Sequence, residues 1–121
     1  MAIFRKVHVT FWNDSFVQDL TPEKKFFYLY LLTNNKTKAI GVYEITFRQI
    51  SYETGYNIET VEKLINFFVE QGKIMVSRDT NEVAIKNWWR YNKTDSPQVK
   101  KLLEKETNMV KNKELLKFVG R

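Results

Sequence analysis

The chain has 121 residues, a formal net charge of +6 and no cysteine. That length fits one domain, and 43% hydrophobic residues are enough for a packed core. The absence of cysteine excludes disulfides and thiolate metal sites and favours a reducing compartment. No stretch has the pattern of a signal peptide or reaches the ~20 apolar residues of a transmembrane helix. We therefore expect a soluble cytoplasmic protein without a membrane partner.

The positive charge is concentrated near the C-terminus. From residue 93 onward, eight Lys and Arg residues face four Asp and Glu residues, a net of +4. Residues 1–92 carry twelve against ten, a net of +2. A basic excess favours a polyanionic partner such as nucleic acid, although it does not require one.

The N-terminal third predicts one extended segment and two helices. Apolar and polar residues alternate within residues 3–12, which favours a short extended segment. Asn13 or Asp14 then caps a short helix through a side-chain oxygen. A longer helix begins after Thr21, with proline at its first position, and runs to about Asn34. This helix is apolar nearly all round, so we expect it to be the central core helix.

Residues 46–72 predict two helices joined by a tight turn. Thr46 caps the first helix, which ends at Gly55 because glycine readily adopts a positive φ. Asn57 caps the second helix. The apolar spacing places five side chains in one core: Ile50, Val61, Leu64, Ile65 and Phe68. Two short helices around a glycine-containing turn are typical of a helix-turn-helix.

Strand signals flank this helix pair. Residues 39–45 are rich in β-branched and aromatic side chains and predict a strand. Residues 73–87 alternate apolar and polar positions around the turn at 79–81, which predicts a hairpin of two half-buried strands. The element order is that of a winged helix, a mainly α fold with a small β content, whose hairpin is the wing. We expect this domain to occupy residues 1–94.

Residues 95–121 predict a lysine-rich extension that is helical or partly disordered. Leu102, Met109 and Leu116 are spaced by seven, as in a helical stripe. Glu106 falls on the same stripe, so the apolar seam is poor.

Several runs, taken together, resemble a known family. They are FWNDSFVQDLTPEKKFFYLYLLTN, GVYEI, ISYETG, VEKLINFF, GKI and IKNWWRYN, which follow one another over about residues 10–100. They are similar to the N-terminal domain of phage and prophage replication initiation proteins, of the replisome-organiser or DnaD-like type, from Gram-positive bacteria and their phages. The resemblance implies a winged helix that binds origin DNA, self-associates and helps to recruit helicase-loading proteins of the primosome. It also implies a location at the nucleoid of the bacterial host.

We expect DNA contacts, double-stranded rather than single-stranded, from the helix pair, the hairpin and the segment after it. Residues near the start of a groove-reading helix contact base edges, and basic wing residues lie along the backbone. The outward face of the second helix carries three acids against Lys63, so its charge disfavours reading DNA. Capping by Asn57 and an ordinary solvated surface elsewhere are the alternatives. The candidates are Arg48, Asn57, Thr60, Lys63, Asn66, Lys73, Arg78, Asn81, Lys86, Arg90 and Lys93.

Three aromatic residues, Trp88, Trp89 and Tyr91, follow the hairpin among basic residues. Such a pattern can stack on single-stranded bases or form an oligomer contact. Packing is the commoner role of such a tryptophan. If the strand continues, at most one of Trp88 and Trp89 faces outward.

No motif supports catalysis. His8 is the only histidine, and the chain has no phosphate-binding glycine loop, catalytic triad or metal-ligand spacing. We expect no enzymatic activity, metal or cofactor. Three functions remain: the DNA-binding module of a replication initiation protein, an assembly module of the primosome with little direct DNA binding, and a winged-helix transcriptional regulator.

Overall fold

The computed structural model describes residues 4–92 and 96–120. Most of these residues are helical, and three short strands form one antiparallel sheet. The chain divides into two compact units, Met1–Asn35 and Lys36–Arg121. The boundary predicted between residues 94 and 95 falls outside the described residues. Within the described ranges, no helix has the length and apolarity needed to cross a bilayer.

The first unit is helical. A 3₁₀ helix at Val9–Asn13 precedes α1 (Ser15–Gln18) and α2 (Pro22–Thr33). The extended segment expected in residues 3–12 is therefore wrong where the 3₁₀ helix forms. The apolar residues there join an aromatic cluster instead of a strand ladder, since the ring of Phe11 lies 5.8 Å from that of Tyr28.

Both α-helices in this unit begin at a predicted cap. Oδ1 of Asp14 accepts the backbone N–H of Phe16 at 2.8 Å, and Oγ1 of Thr21 accepts that of Lys24 at 3.3 Å. Along α2, Phe27 is completely buried, whereas its neighbour in sequence, Phe26, is 49% exposed. The apolar surface of α2 is thus only partly covered.

The second unit contains the predicted strand, helix pair and hairpin, followed by three further helices. Its elements are β1 (Val42–Glu44), α3 (Phe47–Thr54), α4 (Ile58–Glu70), β2 (Ile74–Ser77), β3 (Glu82–Ile85), α5 (Trp88–Tyr91), α6 (Pro97–Met109) and α7 (Glu114–Phe118).

The helix pair forms as its capping residues predict. Oγ1 of Thr46 accepts the N–H of Gln49 at 3.1 Å. Gly55 ends α3 in the left-handed region, with φ of 84°. Oδ1 of Asn57 accepts the N–H of Thr60 at 2.8 Å and so begins α4. All five core residues expected from the pattern are buried: Ile50, Val61, Leu64, Ile65 and Phe68.

The sheet has the order β1-β3-β2, with β3 in the middle. The hairpin pairs Ile74 with Ile85, and β1 pairs Val42 with Ala84. All four residues of β3 are buried, so the prediction of a half-buried strand is wrong for β3. The reason is that α7 packs against β3, while alternate side chains of a strand point to opposite faces. Both faces of the middle strand are therefore covered.

The C-terminal segment forms two helices that pack within the second unit. Its buried apolar residues are Leu103, Val110, Leu115 and Val119. Of the seven-residue stripe formed by Leu102, Met109 and Leu116, the first two do not lie on the buried face, because their side chains are 43% and 57% exposed. The buried stripe includes Glu106, whose Oε1 accepts the backbone N–H of Ile40 at 3.1 Å. A hydrogen-bonded partner lets this carboxylate lie within the buried face.

Candidate nucleic-acid interface

The residues of α4 that the sequence predicts to face outward are exposed, except for Thr60. Lys63 and Asn66 are exposed, as are the acids Glu59, Glu62 and Glu70. The two candidates at the helix start have structural roles, since Asn57 caps α4 and Thr60 is half-buried in the first turn. Contacts from α4 to a ligand would therefore come from its exposed middle.

Arg78, directly after β2, connects the hairpin to α4. Its Nη1 donates to Oε1 of Glu62 at 3.3 Å, and its Nη2 donates to Oδ1 of Asn66 at 3.4 Å. The guanidinium carbon also lies 4.8 Å from the centre of the Phe47 ring. The side chains of Arg78 and Glu62 remain about half exposed, at 54% and 48%. One of the three acids on α4 is thus neutralised by the hairpin.

A small open cleft lies beside this ion pair. Its volume is about 170 Å³, and its lining residues are Ile45, Phe47, Val76, Ser77, Arg78 and Asn81. Asn81 is exposed at the hairpin turn with φ of 58°, and its carbonyl oxygen accepts the N–H of Ile45 at 2.9 Å. The turn is therefore held against the end of β1, and the cleft has a polar rim.

Two lysines face each other at the base of the hairpin. The N–H of Lys86 donates to the carbonyl oxygen of Lys73 at 3.0 Å, which extends the β2–β3 ladder by one pair. Lys86 is exposed and Lys73 is half-buried. The hairpin thus presents two basic residues at the end opposite its turn.

Seven exposed cations of the second unit make neither an ion pair nor a side-chain hydrogen bond with any described residue. Three of them were expected from the sequence: Arg48, Lys63 and Lys86. The other four lie on α6 and α7, and the sequence indicates them only through the net positive charge of the C-terminal segment: Lys100, Lys101, Lys105 and Lys117. The net charge of the segment was the signal that could have found them.

Trp88 belongs to the core. It is 4% exposed, and its indole Nε1 donates to the carbonyl oxygen of Ala39 at 2.8 Å. The chain turns into α5 here, so the alternation of a continuing strand does not apply. Trp89 is half-buried, and its backbone N–H donates to the carbonyl oxygen of Val119 at 3.3 Å. The side chains of Arg90 and Tyr91, and the whole of Lys93, lie outside the described residues.

A buried carboxylate that sequence reasoning missed holds the C-terminal helices in place. Glu82 is 2% exposed and accepts three hydrogen bonds, from the N–H of Lys111 at 2.9 Å, the N–H of Asn112 at 2.8 Å and Oγ1 of Thr80 at 2.7 Å. Nζ of Lys111 also lies 2.6 Å from Oε1 of Glu44. The hydrogen bond and the charge of Glu44 raise the pKa of Lys111. The sequence carries no local signal for contacts this far apart.

Within residues 4–92 and 96–120, no group of three His, Asp or Glu side chains could hold a metal ion. Comparison with protein-family models, curated proteins and solved structures returned no match to this chain. The resemblance to replication proteins therefore stays a prediction.

Proposed function

We propose that this chain is a winged-helix module that binds double-stranded DNA in the initiation of phage-type replication. The observation that carries the proposal is the contact of Arg78 with Glu62 and Asn66. In this contact the hairpin lies beside α4, the second helix of the α3–α4 pair. A helix pair with a hairpin fixed next to its second helix is the arrangement of a winged helix, in which the helix enters the major groove and the wing lies on the backbone.

The unpaired cations support phosphate contacts. Arg48 lies on α3, Lys63 on α4 and Lys86 at the base of the hairpin, and all three are exposed. In a winged helix these three elements approach the same stretch of duplex. Each phosphate that a cation neutralises releases counterions, which favours binding at low salt.

We expect backbone contacts to dominate over base reading. Asn57 is used as a cap, and Glu59 and Glu70 place negative charge along α4. Lys63 and Asn66 are the remaining polar groups on its exposed middle. Sequence preference should therefore be weak, and binding should respond mainly to salt.

The test is fluorescence anisotropy with a labelled duplex of about two helical turns and with the single strand of the same sequence. We expect tighter binding to the duplex. Lys63→Gln combined with Lys86→Gln should flatten the slope of log K against log salt by about 1.8, because each lost phosphate contact accounts for about 0.9. The control, Lys6→Gln with Lys25→Gln in the first unit, removes the same charge. Equal slopes for the two double variants would contradict the proposal.

Self-association is a second candidate function, alone or together with DNA binding. Leu102 and Met109 are 43% and 57% exposed and lie two turns apart on α6, and Tyr52 on α3 is 89% exposed. Light scattering after size exclusion should detect an oligomer that dissociates when Leu102 and Met109 are both changed to Ser. A monomer at every concentration would exclude this candidate. Helicase-loading proteins are the partner class that the resemblance implies.

A further inference from the structure

We propose that Glu62 stands in for a DNA phosphate in the free protein, and that Arg78 exchanges this carboxylate for a phosphate when DNA binds. The inference rests on the proposed function and names a residue pair that sets the affinity. In this inference, Arg78 leaves Glu62 when DNA binds. A purely structural ion pair would instead keep Arg78 on Glu62 in the complex.

The geometry of the guanidinium supports exchange. Arg78 lies 3.3 Å from Oε1 of Glu62 and 3.4 Å from Oδ1 of Asn66. A strong hydrogen bond from a guanidinium N–H to a carboxylate is shorter, at about 2.7–2.9 Å. Both partners are about half exposed, at 54% and 48%. Water and salt weaken an ion pair in such a position. The pair can therefore be broken at little cost.

The surroundings of Arg78 keep it oriented while leaving it room to turn. The guanidinium lies over Phe47 at 4.8 Å, which restricts the plane of the group. The adjoining cleft of about 170 Å³ provides open space on the hairpin side. A phosphate accepts two parallel N–H bonds from an arginine, as a carboxylate does. A phosphate at the wing would thus offer Arg78 a stronger partner than the single oxygen of Glu62.

Two substitutions show whether Arg78 binds a phosphate in the complex or stays on Glu62. The measurement is the salt dependence of duplex binding. If Arg78 binds a phosphate in the complex, Arg78→Ala flattens the slope by about 0.9 and lowers the affinity at low salt by about tenfold. Glu62→Gln then raises the affinity by about two- to fivefold and leaves the slope unchanged, because Arg78 contacts the phosphate with or without Glu62. If Arg78 stays on Glu62, the slopes respond in the opposite way: Arg78→Ala leaves the slope unchanged and Glu62→Gln steepens it.

The matched control is Glu59→Gln. Glu59 is an exposed acid on the same helix, and it makes no ion pair with a described residue. This variant should raise the affinity less than Glu62→Gln does. Arg78→Lys should keep the wild-type slope, since it retains the charge. Thermal unfolding verifies that each variant folds. A wild-type slope for Arg78→Ala overturns this inference alone, whereas no duplex binding by the wild type at low salt overturns the proposed function and this inference with it.

Discussion

The carboxylate of Glu82 accepts the backbone N–H of Asn112 at 2.8 Å across 30 residues of sequence. Its other oxygen accepts the N–H of Lys111 at 2.9 Å. Glu82 lies on the middle strand of the sheet, and the two N–H groups precede α7. This buried acid therefore helps to fix the lysine-bearing C-terminal helices to the sheet that carries the hairpin.

Removing this carboxylate should destabilise the second unit. We expect Glu82→Ala to lower the free energy of unfolding by about 3 kcal/mol, since hydrogen bonds to charged groups contribute about 1.5–3 kcal/mol and two half-buried N–H groups lose their partner. Glu82→Gln keeps one acceptor oxygen and should cost less. Urea denaturation measures both, with the exposed Glu104→Gln as the control. An unchanged midpoint for Glu82→Ala would contradict the role assigned to this residue.

Gly41 and Gly55 separate the effect of backbone strain from that of packing. Both have positive φ, 86° and 84°, but a methyl group at Gly41 would lie 2.5 Å from Cγ of Trp88, whereas nothing lies within 4 Å of one at Gly55. Gly55→Ala should cost about 1–2 kcal/mol from the backbone alone. Gly41→Ala should cost about 2–5 kcal/mol because overpacking is added. Thermal unfolding compares the two, and equal losses would show that Trp88 does not pack against Gly41.

Asn57 tests whether the start of α4 caps the helix or reads DNA. Asn57→Ala should lower the stability by about 1 kcal/mol, and Asn57→Ser should restore most of it because serine also caps. If capping is its main role, duplex affinity for Asn57→Ser equals that of the wild type. A folded Asn57→Ser variant with strongly weakened affinity would assign base or phosphate contact to the amide instead.

The lysines of α6 should contribute to DNA binding from a fixed position. Lys101→Gln with Lys105→Gln removes two exposed charges four residues apart on one helix face, and we expect the salt slope to flatten by about 1.8 if both contact phosphates. The Lys6→Gln, Lys25→Gln variant is again the control. Deleting the helices would be a poorer test, because it would uncover β3 and leave Glu82 without two of its donors. An unchanged slope would remove α6 from the interface.

The local features of the fold could be predicted from the sequence because their causes lie within a few residues. Thr46 and Asn57 cap N–H groups three residues ahead, and Gly55 supplies the positive φ that ends α3. The hairpin turn is equally local. Each of these elements is determined by residue types at short, fixed spacings.

The rest depends on contacts that spacing does not encode. Glu106 accepts the N–H of Ile40 across 66 residues, so the hydrogen bond that lets this carboxylate be buried could not be predicted from local spacing. The seven-residue spacing of Leu102 and Met109 predicts a helical stripe, but α6 buries a different face in the folded unit, with Leu103 at 5% exposure. At the candidate site, the basic residues could be identified from the sequence. The pairing of Arg78 with Glu62 could not, because the two residues come together only in the folded chain.

The most direct test of the central claim is the salt dependence of wild-type binding to the duplex of about two helical turns. Measured from low to moderate salt, log K should fall linearly with log salt with a slope of about −2.7 or steeper, which corresponds to at least three neutralised phosphates at about 0.9 each. The single strand should bind more weakly under the same conditions. A slope near zero, or no binding at low salt, would contradict the account.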